Sequence, residues 1–167
     1  MVRFSIYFIL CTFLFSSCSL FKKDFYADHP CINEKSKNIE IKWGFYITET
    51  KELYGFKLDT KGQVFLIDNN LADESLLLTL NKEEYCDIFI SINKEIIKTQ
   101  TLNVPADTNA FITFNNPDMN YDFRAIWDPN YETIGSEGFR EIFKKLNKVL
   151  PSDTDGKKMY FNFEFKD

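Results

Sequence analysis

Over residues 39–48 apolar and polar side chains alternate, with Ile39, Ile41, Trp43, Phe45 and Ile47 on one side of the pattern and Glu40, Lys42, Gly44, Tyr46 and Thr48 on the other. A period of two places alternate side chains on opposite faces of a strand, so the stretch predicts a β-strand that buries one face. A second alternation, Tyr54, Phe56 and Leu58, runs into Asp59-Thr60-Lys61-Gly62 before the apolar run 64–67 returns. Glycine supplies the positive φ of a short connection, and the pattern predicts a β-hairpin. Residues 71–80 contain Leu76-Leu77-Leu78 without a clear period and fit a short strand or an apolar loop.

The period then changes. Asn81 followed three residues later by Glu84 reads as a capping box, and Tyr85, Ile88, Phe89, Ile92 and Ile96 fall at helical spacing, predicting a helix over 82–98. Beyond Pro105, the run 110–114, the turn residues Asn115-Asn116-Pro117-Asp118 and the alternation Tyr121, Phe123, Ala125, Trp127 predict another hairpin. Phe139, Ile142, Phe143, Leu146, Val149 and Leu150 trace one face of a second helix, opened by Ser136 as its cap and stopped by Pro151. Asp153-Thr154-Asp155-Gly156 reads as a turn, and 159–165 alternates as a closing strand. The order ββ(β)-α-ββ-α-β, dominated by hairpins, predicts an α+β fold: an antiparallel sheet of about five to six strands with two helices packed on one face.

The N-terminus carries a different signal. Arg3 is followed by an uncharged, largely apolar run over 4–21, and Lys22, Lys23 and Asp24 end it. A basic start, an apolar stretch and the small residues Ser16-Ser17 are the parts of a cleaved secretion signal. The segment Leu14-Phe15-Ser16-Ser17-Cys18 resembles the lipobox of bacterial lipoproteins, with Phe15 where that family usually carries leucine. The resemblance covers the leader alone. It implies a signal peptide over 1–17, palmitate-type acylation of Cys18 as the new N-terminus, and a membrane partner reached through that lipid in an extracytoplasmic compartment of the cell envelope, such as the periplasm. The competing reading is an uncleaved anchor, since the same run approaches the roughly 20 residues of a membrane-spanning helix.

Composition refines this picture. The chain of 167 residues has 20 Lys+Arg against 25 Asp+Glu, with no basic run, so nucleic acid is not an expected partner. Residues 18–37 lack a sustained period and read as a tether, leaving 38–167 as one α+β domain. Of the four cysteines, Cys11 leaves with the signal and Cys18 takes the lipid. Cys31 and Cys86 remain as an even pair; an oxidising compartment would bond them, and two unpaired thiols are the alternative.

Candidate chemistry is sparse. His29, the one histidine, lies in the tether, and there is no Cys-x-x-Cys, so neither a metal site nor a cofactor is expected and no catalytic residue is assigned. Asp118-Met119-Asn120-Tyr121-Asp122 opens like a calcium loop but lacks the glycine that follows in one, and a hairpin turn explains it. The acids Asp128, Glu132, Glu137 and Glu141 would serve a hydrolase only if two of them converged. Trp43 and Trp127 fall on faces assigned to the core, whereas Tyr131 sits in a loop. Tyr131, Glu132, Ser136 and Glu137 are therefore the candidate ligand-binding residues. The expected function is a non-enzymatic, lipid-anchored module for an envelope protein or glycan; a carboxylate-dependent hydrolase and a structural or immunity-type envelope protein are the alternatives.

Overall fold

The computed structural model describes Cys31, residues 37–68 and residues 74–151. Seven strands, β1 (Glu40–Ile47), β2 (Glu52–Leu58), β3 (Gln63–Asp68), β4 (Ser75–Thr79), β5 (Leu102–Asn103), β6 (Thr108–Asn116) and β7 (Tyr121–Trp127), form one sheet in the order β4-β3-β2-β1-β6-β7-β5. Every neighbouring pair is antiparallel except β5 with β7. Helix α1 (Lys82–Thr99) connects β4 at one edge to β5 at the other, and α2 (Glu137–Lys148) follows β7.

The turns form where the sequence places turn chemistry. In the β2–β3 hairpin, Asp59 accepts hydrogen bonds at Oδ1 from the amides of Lys61 (2.9 Å) and Gln63 (2.8 Å), and Gly62 adopts φ +74°. Between β6 and β7 a 3-10 turn, Pro117–Met119, ends at Asn120 in the left-handed region. The segment 118–122 is thus the hairpin turn its sequence implied, and Asp118 accepts from Asn38 Nδ2 at 2.8 Å.

Alternation sorts the sheet into two faces. Across one row the register aligns Phe56, Trp43, Ile112, Ala125 and Leu102 from five strands, each at most 4% exposed. The stripes Tyr85, Ile88, Ile92, Ile96 of α1 and Phe139, Ile142, Phe143, Leu146 of α2 close over this face. Phe143 meets Phe45 and Trp127 edge-on at 5.3 and 5.7 Å, and Phe139 stacks on Phe123 at 5.4 Å. Trp43 donates from Nε1 to Asn147 Oδ1 at 3.1 Å, which gives its buried N–H a partner. The helices run antiparallel: Lys145 bonds Asp87 and Ser91, while Gly138 and Gly135 face Glu95 and Thr99.

Cys31 and Cys86 are joined, with Cα atoms 5.6 Å apart, so the stretch before β1 is fastened to the first turns of α1. Closing a loop of 55 residues restricts the unfolded chain and stabilises the fold by about 4 kcal/mol in the chain-entropy model.

Three expectations need correction or bounding. Among the described residues the sheet already has seven strands rather than five to six, because Ser75–Thr79 forms β4 and the residues after α1 yield the two-residue β5, too short for a periodic signal. Ser136 does not cap α2: its backbone is already helical (φ −85°, ψ −18°) and its hydroxyl bonds back into the loop. The signal peptide, Cys18, His29 and the closing strand over 159–165 lie outside the described residues.

Candidate functional site

The loop between β7 and α2, which holds the sequence-derived candidates, is organised by a residue the sequence reading did not select. Arg140 lies beside Phe139 on the buried side of α2 and is 9% exposed. Its guanidinium donates to the carbonyl oxygens of Asp128 (2.6 Å), Pro129 (3.1 Å) and Tyr131, and its Nε donates to Ser136 Oγ (3.1 Å). Ser136 Oγ in turn donates to the Thr133 carbonyl at 2.7 Å and accepts from the Thr133 amide at 3.1 Å. The planar fork of five N–H groups suits this task, since one side chain can satisfy several carbonyls of a loop that has no strand partner.

Burial lowers the pKa of Arg140 from its ordinary value, and Glu132, Asp128 and Glu137 oppose the shift by raising it. The group starts so high that it stays a cation throughout the physiological range. Three of the four acids weighed as hydrolase candidates thus act on this guanidinium. The fourth, Glu141, pairs with Lys144 at 3.1 Å on the exposed side of the helix.

The four ligand-binding candidates separate. Ser136 is completely buried and its hydroxyl is engaged, so it presents nothing to solvent. Glu137 accepts the Gly135 amide at 3.0 Å. Tyr131 gives its carbonyl to Arg140 while the residue is 70% exposed, and Ile134 in the same loop is 98% exposed. Glu132 is exposed and close enough to act on Arg140. The first turn of α2 also meets a carboxylate from the other helix. A Cβ at Gly138 would fall 2.0 Å from Glu95 Cδ, so any larger side chain here would require that carboxylate to move. Glu95 is itself held by Lys98 at 3.0 Å and Thr99 at 3.2 Å.

A different concavity opens on the sheet face away from the helices. Its volume is about 330 Å³, and Glu40, Lys42, Tyr46, Phe111, Asp122 and Arg124 are among its lining. The register explains its banding. Glu40, Asn115 and Asp122 share one cross-strand row; Lys57, Lys42, Thr113 and Arg124 share the next; Ile67, Gly55, Gly44, Phe111 and Ile126 share the third. The third row dips at its centre, where the paired glycines bring backbones together: a Cβ on Gly44 would fall 2.1 Å from the Tyr54 carbonyl oxygen. Phe111 is 6% exposed, buried on this face rather than in the core. Lys42 pairs with Glu40 at 2.7 Å and Lys57 with Glu74, whereas Arg124 has no ion-pair partner among the described residues. The face therefore offers an acidic band, a basic band with one uncommitted guanidinium, and an apolar trough.

Sequence reasoning missed this surface because it graded each alternating position as buried or exposed, and never ranked the polar side against itself. The available signal was two glycines in two alternating runs, Gly44 and Gly55. Among the described residues there is no group of three or more His, Cys, Asp or Glu able to hold a metal ion, and no helix long and apolar enough to cross a membrane. Comparison with known proteins gives no match, neither to a family model nor to a curated protein.

Proposed function

We propose that the chain is the precursor of a lipid-anchored envelope protein, cut before Cys18 and acylated there, whose domain binds an envelope protein or glycan without chemical turnover. The observation that carries the binding half is the banded concavity on the sheet face that neither described helix covers. Its polar groups are arranged in rows by strand register, Tyr46 adds apolar area beside the buried Phe111, and Arg124 has no ion-pair partner among the described residues. The Cys31–Cys86 bond supports the location, since such cross-links persist in oxidising compartments. It also sets the geometry, because the tether from Cys18 would meet the domain at α1, on the side opposite the open face.

Two experiments test this reading. Replacing Cys18 by Ser should abolish palmitate incorporation and leave the precursor uncut; an unlipidated wild-type protein still starting at Met1 would establish the 4–21 anchor instead. For the binding face, a photo-reactive residue is placed in turn at Thr113, Arg124, Tyr131 and Glu141 in cells. Adducts are expected from Thr113 and Arg124. Adducts confined to Tyr131 would move the site to the loop before α2.

A hydrolase remains the second reading for a specific reason: Glu40 and Asp122 both border the concavity, two strands apart and hence separated by about 10 Å at Cα. That is compatible with the spacing of an inverting pair. Glu40 is already ion-paired with Lys42, which favours binding over proton transfer. Loss of any hydrolysis of glycan strands in both Glu40→Gln and Asp122→Asn, with binding retained, would support the hydrolase.

A further inference from the structure

On the sheet face that neither described helix covers, two strands carry the same pair of charges at matching register positions and treat them differently. Glu40 and Lys42 of β1 stand two residues apart, in line across β6 with Asp122 and Arg124 of β7. Glu40 and Lys42 close on each other at 2.7 Å. Asp122 and Arg124 have the same spacing and do not pair; both are exposed, and neither side chain has a hydrogen-bond or ion-pair partner among the described residues. Between the two pairs, β6 places Asn115 in the acidic row and Thr113 in the basic row, half-buried and likewise without a side-chain partner among the described residues. In the third row Phe111 and Ile126 lie side by side and continue into the dip over Gly44. Along β6 and β7 the face therefore presents a carboxylate with an amide, a guanidinium with a hydroxyl, and an apolar pair, in successive rows about 7 Å apart.

We propose that these three rows bind an extended segment of a protein partner whose alternate side chains are a cation, an anion and an apolar group, with the anion in the middle. This rests on the reading of the concavity as a binding face and names what that face takes. An extended chain turns every second side chain to one side at the same repeat of about 7 Å, so a cation can meet Asp122, a carboxylate Arg124, and an apolar side chain the trough beside Phe111. The segment can run either way along the strands, and in both directions the anion falls between the other two groups. Arg124 can hold a carboxylate through two parallel N–H groups, and Thr113 beside it adds a hydroxyl donor. Charge complementarity decides against other ligands. A nucleic acid, or a charged glycan as such chains ordinarily are, carries negative charge alone and would set it against Glu40 and Asp122. A purely apolar segment would cover Asp122 and Arg124 without pairing either.

The test titrates two synthetic peptides of one composition, Lys-Ser-Glu-Ser-Leu and Glu-Ser-Lys-Ser-Leu between neutral flanks, into isotope-labelled full-length protein in detergent and follows its amide NMR resonances. The first peptide should shift residues 111–115 and 122–126 and bind at least tenfold more tightly than the second, because the exchange turns two attractive contacts into two repulsive ones. The preference should fade as salt is raised. This comparison needs no variant. In the double variant Asp122→Arg/Arg124→Asp the order of charges on β7 is exchanged at unchanged net charge, on two exposed positions, and the preference should reverse. Equal affinities, a preference that the double variant leaves as it was, or no shift of these residues by either peptide overturns the inference. So does an oligogalacturonate that shifts them where the peptides do not, which assigns the face to a glycan. Those results leave the binding reading standing as long as Thr113 and Arg124 form adducts in cells; adducts confined to Tyr131 remove that reading itself.

Discussion

The two helices lie side by side on one face of the sheet, yet their first turns are held in opposite ways. At α1, Asn81 Oδ1 accepts the Glu84 amide at 3.0 Å and Glu84 Oε2 accepts the Asn81 amide at 3.1 Å, so four consecutive residues close the helix end on themselves. At α2, the residue in the cap position turns its hydroxyl away, and the start is fixed from outside. Arg140 reaches back across the loop, Glu95 of α1 packs on Gly138, and Phe139 and Phe143 pin the helix to the sheet. A locally encoded end is cheap to form and cheap to lose. An end that depends on distant partners costs more to break when those partners are buried, as Arg140, Phe139 and Phe143 are.

The largest expected effect tests the packing that holds α2. Phe143 is fully buried between Phe45 and Trp127, and Phe143→Ala should destabilise the domain by about 3–5 kcal/mol, the range for truncating a buried phenylalanine. Denaturant unfolding measures it, and a loss under about 1 kcal/mol would mean that α2 is not fastened through this ring. Next comes the loop. Arg140→Ala strands the carbonyls of Asp128, Pro129 and Tyr131 and should cost about 2–4 kcal/mol, since hydrogen bonds from a charged donor are worth more than neutral ones. Arg140→Lys is the sharper version. It keeps the charge and loses the fork, so it should recover less than half of that loss in thermal unfolding; full recovery would show that charge alone holds the loop.

This contrast also explains what could be read from the chain. The strands β1, β2, β6 and β7, the stripes of both helices and the capping box of α1 follow from patterns spanning a few residues, as does the burial of Trp43 and Trp127. The Cys31–Cys86 pairing followed from cysteine arithmetic, and the bond is present. The start of α2 was misjudged because Ser136 has the chemistry of a cap, while what decides its rotamer is a guanidinium four residues on and a loop carbonyl three residues back. Arg140 itself looked like one more charge on an amphipathic helix. The open face was illegible for a related reason: Lys42, Thr113 and Arg124 form a row only after three strands have taken register.

At α1 the expected effect is smaller. Asn81→Ala removes one half of the reciprocal pair and should cost about 1 kcal/mol, as cap removals do. Because the two bonds form one unit, Asn81→Ala and Glu84→Ala together should cost less than the sum of the single changes. Additive losses in urea unfolding would mean that the two bonds act independently.

The smallest net effect is expected at Gly138, where two opposing terms nearly cancel. An alanine is favoured over glycine within a helix by about 1 kcal/mol. Its Cβ would nevertheless overlap the Glu95 carboxylate, the far end of a flexible side chain that can swing out. Moving that acid from the first turn of α2 forfeits a favourable interaction with the helix dipole worth about 0.3–1 kcal/mol, along with some packing. Gly138→Ala should therefore change stability by less than about 0.5 kcal/mol at low ionic strength and become stabilising as salt screens the lost attraction. The double-variant cycle with Glu95→Ala isolates the contact: with the acid already gone, Gly138→Ala should stabilise by most of the helix-propensity gain of about 1 kcal/mol. If Gly138→Ala is equally neutral with and without Glu95, the carboxylate does not hold the start of α2, and Arg140 and the aromatic stripe bear that role alone.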